Sequence, residues 1–263
     1  MGRCTLKQSK KSASPNRQKS RNIRTKRVVF LVLLLGGLLV YVYAEGVQQF
    51  ILSVIFPKAG QYTHSRKTIL EMTKAHIAIT LLATVLSTIV GILIGILVTR
   101  DAGKDFQRLV LRLNAFIQTF PPSAVIILAF PILGFGWKPA LLALFLYSLF
   151  PILGNTIVGF QSVSPSVIDS ARGMGMTESQ QLFIAEFPQA MPMILTGIRH
   201  SYILNLGTAA IAAVIGGGGL GTIIISGLTL RNSALVLSGT IVISLLAFIG
   251  EQFFQLLYPK TDD

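Results

Sequence analysis

The sequence predicts an all-α polytopic membrane protein, and three observations carry that expectation. Of 263 residues, 52% are hydrophobic and only 13% charged, with mean hydropathy +0.67. A soluble domain carries about a quarter charged residues. The ten acidic residues leave apolar tracts between them that reach the ~20 residues needed to cross a bilayer. Helices are the form such tracts take, because a helix satisfies its own backbone hydrogen bonds in hydrocarbon. The single cysteine, Cys4, excludes an internal disulfide.

The chain opens on a basic segment, residues 1–27, with ten Lys and Arg and no acid. Its Ser, Asn and Gln filling cannot bury enough surface to fold, so a disordered cytoplasmic tail near anionic lipid is expected. The net charge of +13 does not argue for nucleic acid, since neither a folded reader nor an aromatic platform accompanies it. Neither a myristoylation pattern nor a signal-peptide cleavage site is recognisable.

A first span is expected from Val28 to Tyr43, with an additional N-terminal membrane unit over 28–56, and residues 57–74 read as a polar loop. A second span runs from His76 to Val98 and contains Gly91-xxx-Gly95, a spacing that lets another helix approach closely. The third, Leu113 to Phe135, is interrupted by Pro121-Pro122, which removes backbone donors and predicts a kink or split near Phe120. After the turn GFGWKP, a fourth span covers Ala140 to Phe160 with Pro151 and Asn155 inside it. A fifth covers Ala190 to Ile215, followed by the glycine run Gly216, Gly217, Gly218, Gly219, and a sixth covers Ala234 to Tyr258. About six spans of this length put both termini on one side, and the excess of Lys and Arg makes that side cytoplasmic.

Between the fourth and fifth spans lies a polar stretch, Val167 to Pro188, inside a loop over 163–188. It could not sit in lipid, and its position predicts a cytoplasmic surface that a partner protein could grip. No nucleotide site is legible. The run GGGGLG satisfies the letters of a dinucleotide fingerprint but follows a membrane span and has no acidic residue near twenty positions on, and no phosphate-binding P-loop is present. His64, His76 and His200 are too dispersed for a metal site, and no catalytic constellation is visible. Arg199 is a costly residue in a span and calls for a cavity or a partner. Glu251 in the last span falls within a helical turn of the same depth at about 1.5 Å per residue, so either the two residues pair, or Glu251 snorkels to the interface and Arg199 faces water.

The polar stretch resembles the cytoplasmic loop of binding-protein-dependent ABC transporter permeases. That pattern is Glu-Ala-Ala, three residues, Gly, nine residues, Ile-x-Leu-Pro. Here Asp169-Ser170-Ala171 is followed after three residues by Gly175, and after nine more by Ala185-Glu186-Phe187-Pro188. The stretches QTFPP (118–122), SARGMGM (170–176) and ILTGIRHSYILNLGTAAIAAVIGGGGLG (194–221) are similar to the glycine betaine, choline and carnitine (osmoprotectant) subfamily. Methionine importer permeases share the glycine run and the Gly175 spacing.

The resemblance implies a five-span importer core over 75–258 in a prokaryotic plasma membrane. It also implies a non-enzymatic transport subunit, with ATP and magnesium bound by a partner chain. Cytoplasmic ATP-binding subunits, a second permease (a copy or a paralogue) and an extracytoplasmic substrate-binding protein would complete the assembly. Asp169, Ser170, Ala171, Arg172, Gly173, Gly175 and Pro188 would couple to the ATPase. Val167, Ile168, Ala171 and Met174 would face it, and Pro188 would stop the segment. Phe120, Pro121, Pro122, Asn155, Arg199, Asn205 and Gly216–Gly219 would line the pathway or its gate. Quaternary ammonium groups favour aromatic cages, for which Phe120, Trp137 and Tyr147 are candidates. An importer of methionine or another small solute, and a secondary transporter, remain as alternatives.

Overall fold

The computed structural model describes residues 15–257, and among them every regular element is helical. Helix α1 (Pro15–Tyr43) is followed after a break at Ala44 by α2 (Glu45–Ile55). Long helix α3 (Ile69–Thr99) leads to α4 (Lys104–Ile117) and α5 (Pro122–Leu133), which meet at 92°. Helix α6 (Trp137–Gln161) precedes the short α7 (Pro165–Gly173). A single turn, α8 (Glu178–Gln180), runs through a π-helical segment (Gln181–Glu186) into α9 (Phe187–Ile211). A 3₁₀ turn (Ala212–Ile215) and the glycine run lead to α10 (Gly221–Thr229) and α11 (Ser233–Leu257). Five helical stretches are long and apolar enough to cross a membrane, and the bent α4–α5 pair makes a sixth if it is counted as one span.

The centre is α3, α6 and α9 packed on one another. Lipid tails are as apolar as leucine, so close approach and polar contacts hold such helices together. Gly91 and Gly95 allow that approach: a Cβ on them would lie 2.8 Å from Ile152 Cγ2 and 2.5 Å from Thr156 Cγ2. Buried hydroxyls and amides add cross-links. Ser87 and Ser148 share a 2.5 Å hydrogen bond, and Ser201 Oγ donates to the Ser148 carbonyl at 2.6 Å. Asn205 Nδ2 donates to Thr84 Oγ1 at 3.0 Å. His76 Nε2 meets the Leu206 carbonyl at 3.0 Å, which fixes the proton on that nitrogen.

Several boundaries differ from expectation, each for a local reason. Residues 1–14 lie outside the described residues, but from Pro15 on the basic segment is helix, because Lys and Arg propagate a helix that the apolar span has nucleated. Residues 28–56 are two helices rather than one span. Helix α3 begins seven residues early, at a capping box in which Thr68 Oγ1 accepts from Glu71 N and the Glu71 carboxylate accepts from Thr68 N. The basic loop before the third span is already helix α4, and α10 occupies a stretch left unassigned. Tyr258, expected to end the last span, lies outside the described residues.

Candidate functional site

Ala171, Gly175, Thr177 and Glu186 shape the polar stretch. Helix α7 ends in a Schellman motif. The Met176 amide donates to the Ala171 carbonyl at 3.1 Å and the Gly175 amide to the Arg172 carbonyl at 2.9 Å. Gly175 takes φ +74°, the left-handed conformation glycine adopts without penalty. Two residues later Thr177 restarts the helix through a second capping box with Gln180. That signature, T-x-x-Q, is legible in the sequence.

Pro188 does not stop the segment. The helix runs from Glu178 through Pro188 into α9 because the π turn precedes it. A proline ring clashes with the carbonyl four residues back and leaves it without a donor. The wider π turn, in which Phe187 N donates to the Leu182 carbonyl, relaxes the ladder there.

Three of the four residues expected to face a partner, Val167, Ile168 and Ala171, turn inward, and of that face Met174 alone is exposed. Ala171 is 1% exposed, and Val167 and Ile168 are half-buried against the chain's own helices. Asp169, Ser170, Arg172, Gly173 and Met174 face outward. Met174, Phe183 and Ile184 are 69, 63 and 60% exposed, so the polar stretch also presents apolar groups. The apolar side of a helix this short is needed to seat it on its own scaffold.

Behind this surface is a cavity of about 700 Å³, walled by Arg100, Phe160, Ile168, Arg172, Glu178 and Glu186. Across it, Arg100 holds Glu186 through both terminal guanidinium nitrogens, Nη1 and Nη2, at 3.0 and 2.6 Å. The Arg100 guanidinium carbon sits 5.4 Å from the centre of the Phe160 ring. Next to it Lys104 donates to Asp101 at 2.6 Å, and that hydrogen bond holds the Asp101 carboxyl below the usual carboxylate range.

The other sequence-nominated residues are dispersed. Arg199 Nη1 donates to Glu251 Oε1 at 3.2 Å, and Gln255 Nε2 donates to the same oxygen at 2.7 Å. Phe120 lies at the α4–α5 break, edge-on to Phe116 at 5.3 Å, beside Pro121 and Pro122. Asn155 Nδ2 donates to the Pro151 carbonyl of its own helix at 2.8 Å, and Asn205 is buried between α9 and α3. Gly216, Gly218 and Gly219 have positive φ, whereas Gly217 is close to the Ala212 carbonyl. Gly219 is pressed on His76, about 10 Å along α3 from its start. Trp137 opens α6 and Tyr147 is 4% exposed in the interior, and among the described residues no ring contact joins them to Phe120.

Comparison with known proteins decides the family. Residues 91–263 match the model for the binding-protein-dependent transport system inner membrane component. The chain belongs to that family. It is similar to the choline transport system permease protein OpuBB of Bacillus subtilis, at 38% identity over 69% of this chain and 82% of the relative. The glycine betaine/carnitine/choline permease OpuCB of the same organism is 39% identical over the same shares. The osmoprotectant import permease OsmY of Salmonella typhimurium is 36% identical over 69% of this chain and 77% of the relative. Among solved structures, the inward-facing MetNI methionine ABC transporter matches with TM-score 0.60 at 21% identity. That match covers 71% of this chain and 94% of the other. An amino acid ABC transporter matches with TM-score 0.61 at 20% identity, covering 72% and 92%.

The structure therefore describes a membrane-spanning permease whose polar stretch carries a short helix on a mount built from the chain's own helices. Sequence reasoning missed the mount, the Arg100–Glu186 pair. One signal for it was legible. Glu186 heads the stripe Glu186, Ala190, Ile194, Gly197, Ser201, Asn205, all buried at helical spacing, and a charge on such a stripe needs a partner.

Proposed function

We propose that this permease imports a quaternary-ammonium osmoprotectant of the glycine betaine, choline or carnitine type, driven by ATP hydrolysis on a separate subunit. The observation that carries the reading is the 36–39% identity to permeases named for those solutes, extending over most of the relatives' length. The likeness to the methionine transporter, at 21% identity, speaks for the fold alone.

The end of the bundle bearing α7 faces the cytoplasm, with both termini. The surface formed by Asp169, Ser170, Arg172, Gly173 and Met174 docks on the ATPase, and a second permease completes the pathway. Closure of the ATPase pair would move α7 as a rigid body and switch the pathway between inward and outward access. An external binding protein would deliver the solute. ATP and magnesium would be held by the partner.

The test is uptake by vesicles containing this permease with the ATPase and binding protein encoded beside it. Radiolabelled glycine betaine, choline and carnitine are offered against methionine. Uptake of at least one of the first three that depends on ATP, with methionine excluded, is expected. Methionine uptake alone, or uptake without any ATP-binding subunit, would overturn the reading.

A further inference from the structure

We infer that Arg100 and Glu186 are a positioning pair that carries the displacement of α7 into the end of α3, a role resting on the coupling surface proposed above. Helix α7 sits on the π segment through Ala171, which is buried. The turn between them is tied by Gln181 Nε2, which donates to the Met176 carbonyl at 2.8 Å. Glu186 closes that segment with its side chain 8% exposed, and both its oxygens are held by Arg100.

Arg100 is the C-cap of α3, stacks on Phe160 at the end of α6, and precedes the Asp101–Lys104 pair at the start of α4. Phe160 in turn lies 6.3 Å from Phe187. Three of the long helices thus converge on one guanidinium beneath α7. A bidentate guanidinium–carboxylate contact fixes orientation as well as distance, so it transmits a push without slipping, as an apolar contact would. The π turn assists: one extra residue rotates the following side chains by ~100°, which helps bring Glu186 onto the buried stripe of α9 while Phe183 and Ile184 stay outside.

A purely structural clamp makes a different forecast. Buried ion pairs replaced by apolar residues of similar volume often leave stability unchanged or improved. The experiment uses the full complex of permease, ATPase and binding protein in vesicles, and reads solute imported per ATP hydrolysed. Glu186→Gln should retain the ATPase and basal hydrolysis within about twofold while importing about tenfold less per ATP. The pair Arg100→Met with Glu186→Leu should assemble and be equally uncoupled. The exchange Arg100→Glu with Glu186→Arg should recover at least about a third of the wild-type ratio.

A wild-type ratio in the Met/Leu pair overturns the inference, since packing alone would then suffice. So does failure of every variant to assemble, the exchange included, which would mark a fold clamp only. If the wild-type permease captures no ATPase, the coupling surface itself is wrong. Capture with unchanged ratios condemns the positioning pair alone.

Discussion

His64 shows how a single side chain sets a local structure that depends on pH. It lies in the segment before α3, where its Nδ1 accepts the backbone amides of Arg66 and Lys67, both at 3.2 Å. Burial first, and the charges of Lys67 and Arg66 second, push its pKa below the ordinary 6.5. A histidine with a lowered folded pKa contributes its stability above the unfolded value and loses it as pH falls towards the folded one. Protonation also removes the lone pair that accepts both amides. Hydrogen exchange at Arg66 and Lys67, corrected for intrinsic rates, should therefore accelerate as pH drops below 6.5. His64→Phe should leave those amides open at every pH. Protection that does not vary across this range would contradict the assignment.

At the scale of elements, the α3–α6 contact is a close seam that is sensitive to added volume. A Cβ at Gly95 would lie 2.5 Å from Thr156 Cγ2 and 2.8 Å from its Cβ, so helix backbones must part for any larger residue. Gly95→Ala should cost about 1–3 kcal/mol, the usual range for overpacking, read as a lower thermal midpoint of the purified permease. Adding Thr156→Gly should return part of the loss, and strict additivity would show that the two residues do not compete for one space. The GxxxG spacing was legible in the sequence. Its partner was not, because glycine spacing states that something approaches without stating which helix. The same limit applied to α7, where an apolar face was assigned to a partner protein and belongs instead to the chain's own support.

In the whole molecule, the residues ahead of α3 meet α11 and the turn before it through apolar packing and hydrogen bonds. Leu38, Tyr41 and Val42 of α1 enter one buried cluster with Leu235, Val242 and Leu246 of α11. Gln48 Nε2 of α2 donates to Ser238 Oγ at 2.6 Å, and Asn232 Nδ2 donates to the Gln61 carbonyl at 2.8 Å. Helix α1 packs chiefly on α11, and α2 also touches it, so this unit is a brace laid on α11. Deleting residues 1–56 should leave a core that inserts but melts earlier in detergent. Gln48→Leu should reproduce part of the shift, since it removes the amide donor to the buried Ser238 hydroxyl. Unchanged melting after the deletion would show that the brace bears no stability.

The sequence by itself determined the helical membrane class, the approximate number of spans and the break at Pro121-Pro122. These follow from hydropathy and backbone chemistry, which act within a few residues of one another. The comparable depths of Arg199 and Glu251 were also readable, since rise per residue converts position into height. Tertiary structure alone decided which faces turn inward, why Pro188 is tolerated, and that Arg100 grips Glu186 from 86 positions away. The physical reason is the lipid. With apolar surroundings on both sides of a helix, hydrophobic periodicity no longer marks the interior. Orientation then rests on glycine contacts, hydroxyls and ion pairs whose partners are distant in the chain.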